Sequence, residues 1–120
     1  MYSVHFYVDG RGNVPVRDFI KELNKKSRAK IGRYINFLEQ HGPDLPRPYA
    51  DHVRDKIREL RVRALDENVR IFYFLFIEKK IILLHAFKKK DQELLEREIE
   101  QAERNMQYFL DQYRQGKVNL

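Results

Sequence analysis

The sequence predicts an α+β fold: a small antiparallel sheet, built from an N-terminal strand and a three-stranded meander, with an N-terminal helical hairpin and a long C-terminal helix. Three observations carry this. From Leu60 to Lys88 three runs rich in β-branched and aromatic residues are separated by two short polar breaks, the composition and punctuation of consecutive strands. Between Val16 and Leu38 apolar residues recur at helical spacing in two groups, divided at Asn24 to Ser27. Beyond Asp91 a single stripe, Leu95, Ile99, Ala102, Met106, Phe109 and Tyr113, recurs at alternating steps of four and three.

Taken in order, Tyr2 to Val8 reads as the first strand, and Asp9-Gly10-Arg11-Gly12-Asn13 as a turn whose glycines permit positive φ. Val14-Pro15 leads into a helix bearing Val16, Phe19, Ile20 and Leu23 on one face, since proline is tolerated in a first turn. A second helix bears Ile31, Tyr34, Ile35 and Leu38 and ends near Gly42-Pro43; the two should pack as an antiparallel pair on the sheet. Gly42 to Tyr49, with prolines at 43, 46 and 48, is expected to be an ordered connection crossing the molecule. Asp51 to Glu59 is short, mostly charged and ambiguous, and reads as a turn of helix before the second strand.

The meander strands are Leu60 to Leu65, Val69 to Ile77 and Ile81 to Lys88. The middle one is apolar on both faces, as expected of a central strand covered on both sides. Asp91 is placed to cap the last helix, which should run to about Tyr113. That helix has two readings, a shield or partner-docking element, or a terminal helix packed on the domain with a solvated acidic face.

Strand alternation puts Arg61 and Arg63 on one face. An even first turn, with Glu67-Asn68 as its central pair, sets Arg63 opposite Phe72 and Leu65 opposite Arg70. The same parity at the second turn sets His85 opposite Phe74, Phe87 opposite Phe72, and Lys89 opposite Arg70. One face then carries Arg61, Arg63, Arg70, His85 and Lys89 among aromatic rings, a polyanion site in outline. A slip of one residue would invert every side chain.

Composition narrows the function. The 120 residues, carrying a formal charge of +6, suit one domain spanning 1–120. With no cysteines, disulfides and thiolate metal sites are excluded. No signal peptide or apolar membrane span is visible, so a cytoplasmic protein is expected. From Arg54 to Lys90 there are 11 Lys or Arg against 5 Asp or Glu, a surplus that equals that of the whole chain. The excess charge therefore belongs to the meander. From Asp91 to Gln115 the balance reverses, with 7 acidic residues and 3 basic. The histidines at 5, 41, 52 and 85 fall at no familiar metal-ligand spacing, and Gly10-Arg11-Gly12 lacks the lysine and helix start of a phosphate loop.

These residues resemble the RelE/ParE superfamily of bacterial toxins, in particular its HigB-like, phage-derived branch. The resemblance lies in the strand-helix-helix-meander order and in Glu59-Leu60-Arg61-Val62-Arg63, Val69-Arg70-Ile71-Phe72-Tyr73 and Leu84-His85-Ala86-Phe87-Lys88-Lys89. It extends to Gly12 to Leu23 and to Glu98-Ile99-Glu100-Gln101-Ala102, and so covers most of the chain. It implies a RelE-like fold and a type II toxin that cleaves mRNA on the ribosome without metal or cofactor. It also implies a cognate antitoxin, usually a helix-turn-helix protein. The family's basic catalytic residues match Arg61, Arg63 and Arg70, and its basic residue at the end of the last strand falls within Lys88-Lys89-Lys90, with register favouring Lys89. The aromatic residue that RelE carries early in its last helix has no counterpart in Asp91-Gln92-Glu93-Leu94-Leu95-Glu96.

For such chemistry, arginine forks suit the phosphoryl oxygens. His85, with an ordinary pKa near neutrality, suits proton transfer, although a histidine on an apolar strand also has a purely structural reading. Lys89, crowded by cations, is a second proton carrier. Lys88 and Lys90 are candidate RNA contacts or solvated charges, and Phe87 or Phe72 candidate base-stacking rings or core. Two other readings stand: a ParE-like non-enzymatic inhibitor of DNA gyrase acting through its helical hairpin, and a nucleic-acid-binding domain without chemistry.

Overall fold

Among the described residues there are eight elements, of which five are strands that all join one sheet. The computed structural model describes residues 1–65, 67–90 and 95–120. In chain order it has β1 (Ser3–Phe6), α1 (Pro15–Lys21), α2 (Lys25–His41), β2 (Ala50–Arg54), β3 (Ile57–Ala64), β4 (Glu67–Leu75), β5 (Lys80–Lys88) and α3 (Glu96–Arg114). The sheet order is β1-β5-β4-β3-β2. The meander is antiparallel throughout, whereas β1 runs parallel to β5, so the sheet is mixed.

Helices cover both faces. Val16 of α1, Leu23 of the turn that follows it, and Ile31 and Leu38 of α2 pack with Leu60, Val62, Val69, Ile71, Tyr73, Ile81 and Leu83. On the other face Ala102 and Phe109 of α3 pack with Ile57, Phe72, Phe74, Ile82, Leu84 and Phe87. This double cover is why β4 tolerates apolar residues at both parities: Ile71, Phe72, Tyr73 and Phe74 are all buried. Among the described residues no helix is long and apolar enough to cross a membrane.

Local chemistry fixes the helix ends. Pro15 starts α1. Asn24, which the sequence reads as part of a break, caps α2 by accepting from the Ser27 N–H at 2.8 Å. Gly42 ends α2 at φ +90, where an added Cβ would lie 2.7 Å from the Tyr2 ring, so both conformation and space demand glycine. The proline-rich connection is ordered as expected: Tyr73 Oη donates to the Pro43 carbonyl at 2.7 Å, and Arg58 Nη2 to that of Leu45 at 2.9 Å.

Three readings need correction. Asp51 to Glu59 is no helical turn; it forms β2 and the start of β3, a hairpin bent at Asp55, whose φ is +51. An edge strand shows half its side chains to solvent, so its charged alternation hides it from a search for apolar runs. The first meander turn also lies earlier than expected, because Glu67 and Asn68 are inside β4 and Ala64 pairs with Glu67. Arg63 therefore faces Asn68 and not Phe72, and Arg61 faces Arg70. On β5, Arg70 faces Phe87 and Phe72 faces His85, a displacement of two. Up to the bulge after Phe72 these shifts are even, so the predicted face survives while each predicted pair changes; past the bulge Phe74 faces Ile82 and not His85, a shift of three. The proposed cap Asp91 lies outside the described residues.

Candidate functional site

Strand register builds the site as a small lattice on the α3 face. One row is Arg61 on β3, Arg70 on β4 and Phe87 on β5. The next, toward α3, is Glu59, Phe72 and His85. The row on the far side is Arg63 and Asn68, followed by Lys89, whose N–H donates to the Asn68 carbonyl at 2.7 Å. A β-bulge between Phe72 and Tyr73 lets both Leu84 and His85 face α3.

Arg61, Arg63 and Arg70 line one depression of about 380 Å³ with Tyr34, Arg47, Pro48 and Asn68. Their exposure grades from floor to rim. The Arg70 side chain is 7% exposed, that of Arg61 35%, and Arg63 is exposed. Burying a guanidinium requires a partner, and Glu59 is that partner. Its Oε1 accepts from Arg70 Nη1 at 3.0 Å, and its Oε2 lies 3.9 Å from Arg61 Nε. Arg70 Nε is buried with no hydrogen-bond partner among the described residues, an incomplete set at the floor of an open cationic hollow. At the rim Asp51 accepts from Arg47 Nε at 2.8 Å, which holds the Asp51 carboxyl below its ordinary value. Planar, permanently charged donors converging on one hollow fit a phosphate or carboxylate.

The other predicted residues are placed differently. His85 and Phe87 share the arginine face and stack at 5.7 Å between centroids, 25° between planes. His85 is 18% exposed and opens into a separate hollow beside Glu98 and Arg97 of α3, with Nε2 2.7 Å from Glu98 Oε1. Phe87 is buried, edge-on to Phe72 at 5.2 Å. Lys88 pairs with Val69 and reaches Glu67 at 3.5 Å on the opposite face, away from the arginines. Lys90 is exposed past the end of β5.

Sequence reasoning missed four residues around this site. Glu59 and Glu98 are long-range partners, and Tyr34 and Arg47 arrive from α2 and the proline-rich connection. Only Glu59 left a trace, as an acidic residue at an inward-facing strand position. α3 also supplies Glu96 and Glu103 to Arg54, at 2.7 and 3.5 Å. Part of its acidic face therefore answers cations on the sheet, and part is solvated.

A family model described as phage-derived protein Gp49-like (DUF891) matches residues 18–107, three quarters of the chain and all of the arginine-bearing strands. The chain belongs to that family. Gp49-like proteins are toxins of toxin–antitoxin systems within the RelE/HigB-type group, so membership implies an antitoxin partner. The α+β architecture, with its central meander and C-terminal helix, is compatible with a RelE-like fold. No curated protein matches the chain.

Proposed function

We propose that residues 1–120 form one toxin domain of the HigB-like branch, a cytoplasmic endoribonuclease that cuts mRNA on the ribosome without metal and is neutralised by a helix-turn-helix antitoxin. The observation that carries this reading is the convergence of Arg61, Arg63 and Arg70 on one depression, with Arg70 short of an acceptor. A phosphodiester seated there has its non-bridging oxygens among three guanidinium groups. As the 2′-oxygen attacks phosphorus and the 5′-oxygen leaves, charge grows on those oxygens, and donors already in position stabilise it without reorganising. Glu59 holds the Arg70 fork in place. Lys89, at the end of the Arg63–Asn68 row, is the nearer proton carrier; His85, diagonal to Arg70 across the lattice at a typical separation of about 7–8 Å, serves as the second only by turning from Glu98 toward the arginines.

One observation favours binding without chemistry: the His85 Nε2 atom is engaged by Glu98 beneath α3. The test is to incubate the protein with translating ribosomes and map the 5′ ends of the mRNA. New ends that disappear with Arg70→Lys, which keeps the charge but loses the fork, support cleavage. No new ends, with RNA still bound, leaves the binding module; inhibition of gyrase supercoiling would point to the ParE-like activity.

A further inference from the structure

Beside the arginine depression lies a second hollow of different character. It measures about 320 Å³ and is walled by Phe37, His41, Asp44, Leu45, Pro46 and Tyr49. The chain from Pro46 to Tyr49 is the rib between the two, since Pro46 faces the second hollow while Arg47 and Pro48 face the first. The walls are continuous. The Tyr49 ring stands edge-on to Tyr34, a wall of the arginine depression, at 5.4 Å, and edge-on to Phe37, a wall of the second hollow, at 5.3 Å. Tyr34 and Phe37 are themselves 5.6 Å apart.

Tyr34, Phe37 and Tyr49 are only half-buried, each leaning on the core cluster while part of it stays accessible. Their hollow has two polar groups at its rim, exposed His41 and Asp44. An anionic hollow-filler joined by one short link to a flat ring with polar edges is the shape of a nucleotide. Phosphate suits the guanidinium forks, the ring suits the aromatic wall, and the base edge suits an imidazole and a carboxylate.

We propose that the aromatic hollow receives an unstacked nucleobase of a single-stranded RNA whose adjoining phosphate lies among Arg61, Arg63 and Arg70. This rests on the reading of the arginine depression as the RNA site, and adds to it a subsite contributed by α2 and the proline-rich connection. It makes base stacking a task of Phe37 and Tyr49 at the α2 side, and not of Phe87, which is buried.

The chain has no tryptophan, so Phe37→Trp installs a single reporter in the hollow. The variant is titrated with a short 2′-O-methyl oligonucleotide, which cannot be cut, and with an abasic strand carrying the same number of phosphates. The base-bearing strand should quench the emission and bind roughly tenfold more tightly than the abasic one, the effect of losing a stacked base. In the otherwise native chain His41→Ala, at an exposed position that leaves the core alone, should narrow that difference; this arm stands even if Phe37→Trp misfolds. Equal affinity for both strands, with unchanged emission, overturns the subsite and leaves the arginine reading intact. Binding of neither strand also overturns it, while the cleavage reading is decided separately by the mapped 5′ ends.

Discussion

The α3 face of the sheet is divided into two halves that differ in every respect except the backbone that carries them. Under α3, Phe72, Phe74, Ile82 and Leu84 meet Ala102 and Phe109 and are sealed. Beyond that cover, the same strands carry Arg61, Arg63, Arg70 and Asn68 around an open hollow. The covering helix therefore draws the line between core and site. Residues change character along one strand, from Phe72 to Arg70 and from Ile57 to Arg61, where the cover stops. Stability should reside in one half and activity in the other.

The strongest challenge to that division is Phe109→Ala. Phe109 is buried edge-on against Phe74 and Phe76, so truncation should cost about 3–5 kcal/mol of folding stability. Chemical denaturation measures it, and the fraction still folded should retain the mRNA cleavage proposed above. Conversely, Arg70→Lys should lower cleavage about a hundredfold, the scale of removing one preorganised donor. Its melting temperature should change far less than that of Phe109→Ala. If both variants lose stability and activity together, the two halves are one unit.

A smaller effect is expected at Asn105, the buried polar residue of α3. Its Nδ2 donates to the Leu84 carbonyl at 2.9 Å, beside the bulge that turns His85 toward the helix. Asn105→Ala should cost about 1–3 kcal/mol by leaving that carbonyl unsatisfied, again read by denaturation. The smallest effect concerns the first turn of α3. Arg54 donates to Glu96 at 2.7 Å and thereby holds the Glu96 carboxyl below its ordinary value of 4.5. A carboxyl depressed in the folded state stabilises fully above its unfolded value and loses that contribution as the pH falls through its folded one. The stability difference between the native chain and Glu96→Gln should therefore be constant above about pH 5 and shrink in acid. Because the pair is exposed the difference will be slight, and thermal melts across pH 3 to 6 will show whether it has this shape.

How much of this the sequence disclosed depended on the range of the interactions. The meander was legible because aromatic and β-branched residues fill both parities of Ile71 to Phe74, and only a central strand can bury both. Parity alone then brought Arg61, Arg63 and Arg70 to one face, even though the turn was misplaced. Asp66 and Asn68 are both turn formers, with polar Glu67 between them, and nothing local in the sequence favours one placement of the turn over another. β2 was hidden by its edge position. Glu59 was hidden because its role depends on Arg70, across a strand pair, and Tyr34 and Arg47 because they reach the site from segments with no local sign of it. The family resemblance supplied the toxin reading, and the matched family supports it at that level.

The parallel pairing of β1 with β5 has a consequence for synthesis. Ser3 to Phe6 find their partners only at Lys80 to Leu83, so β1 must wait for β5, the last of the described strands, before it can join the sheet. Closing so long a loop is entropically costly and slow compared with forming the local hairpins. A nascent chain halted before residue 80 thus lacks both the strand that completes its apolar interior and the lysine that ends the cationic row. Such a fragment is expected to lack whatever activity the cationic cluster confers, because the order in which the strands are made completes that cluster last.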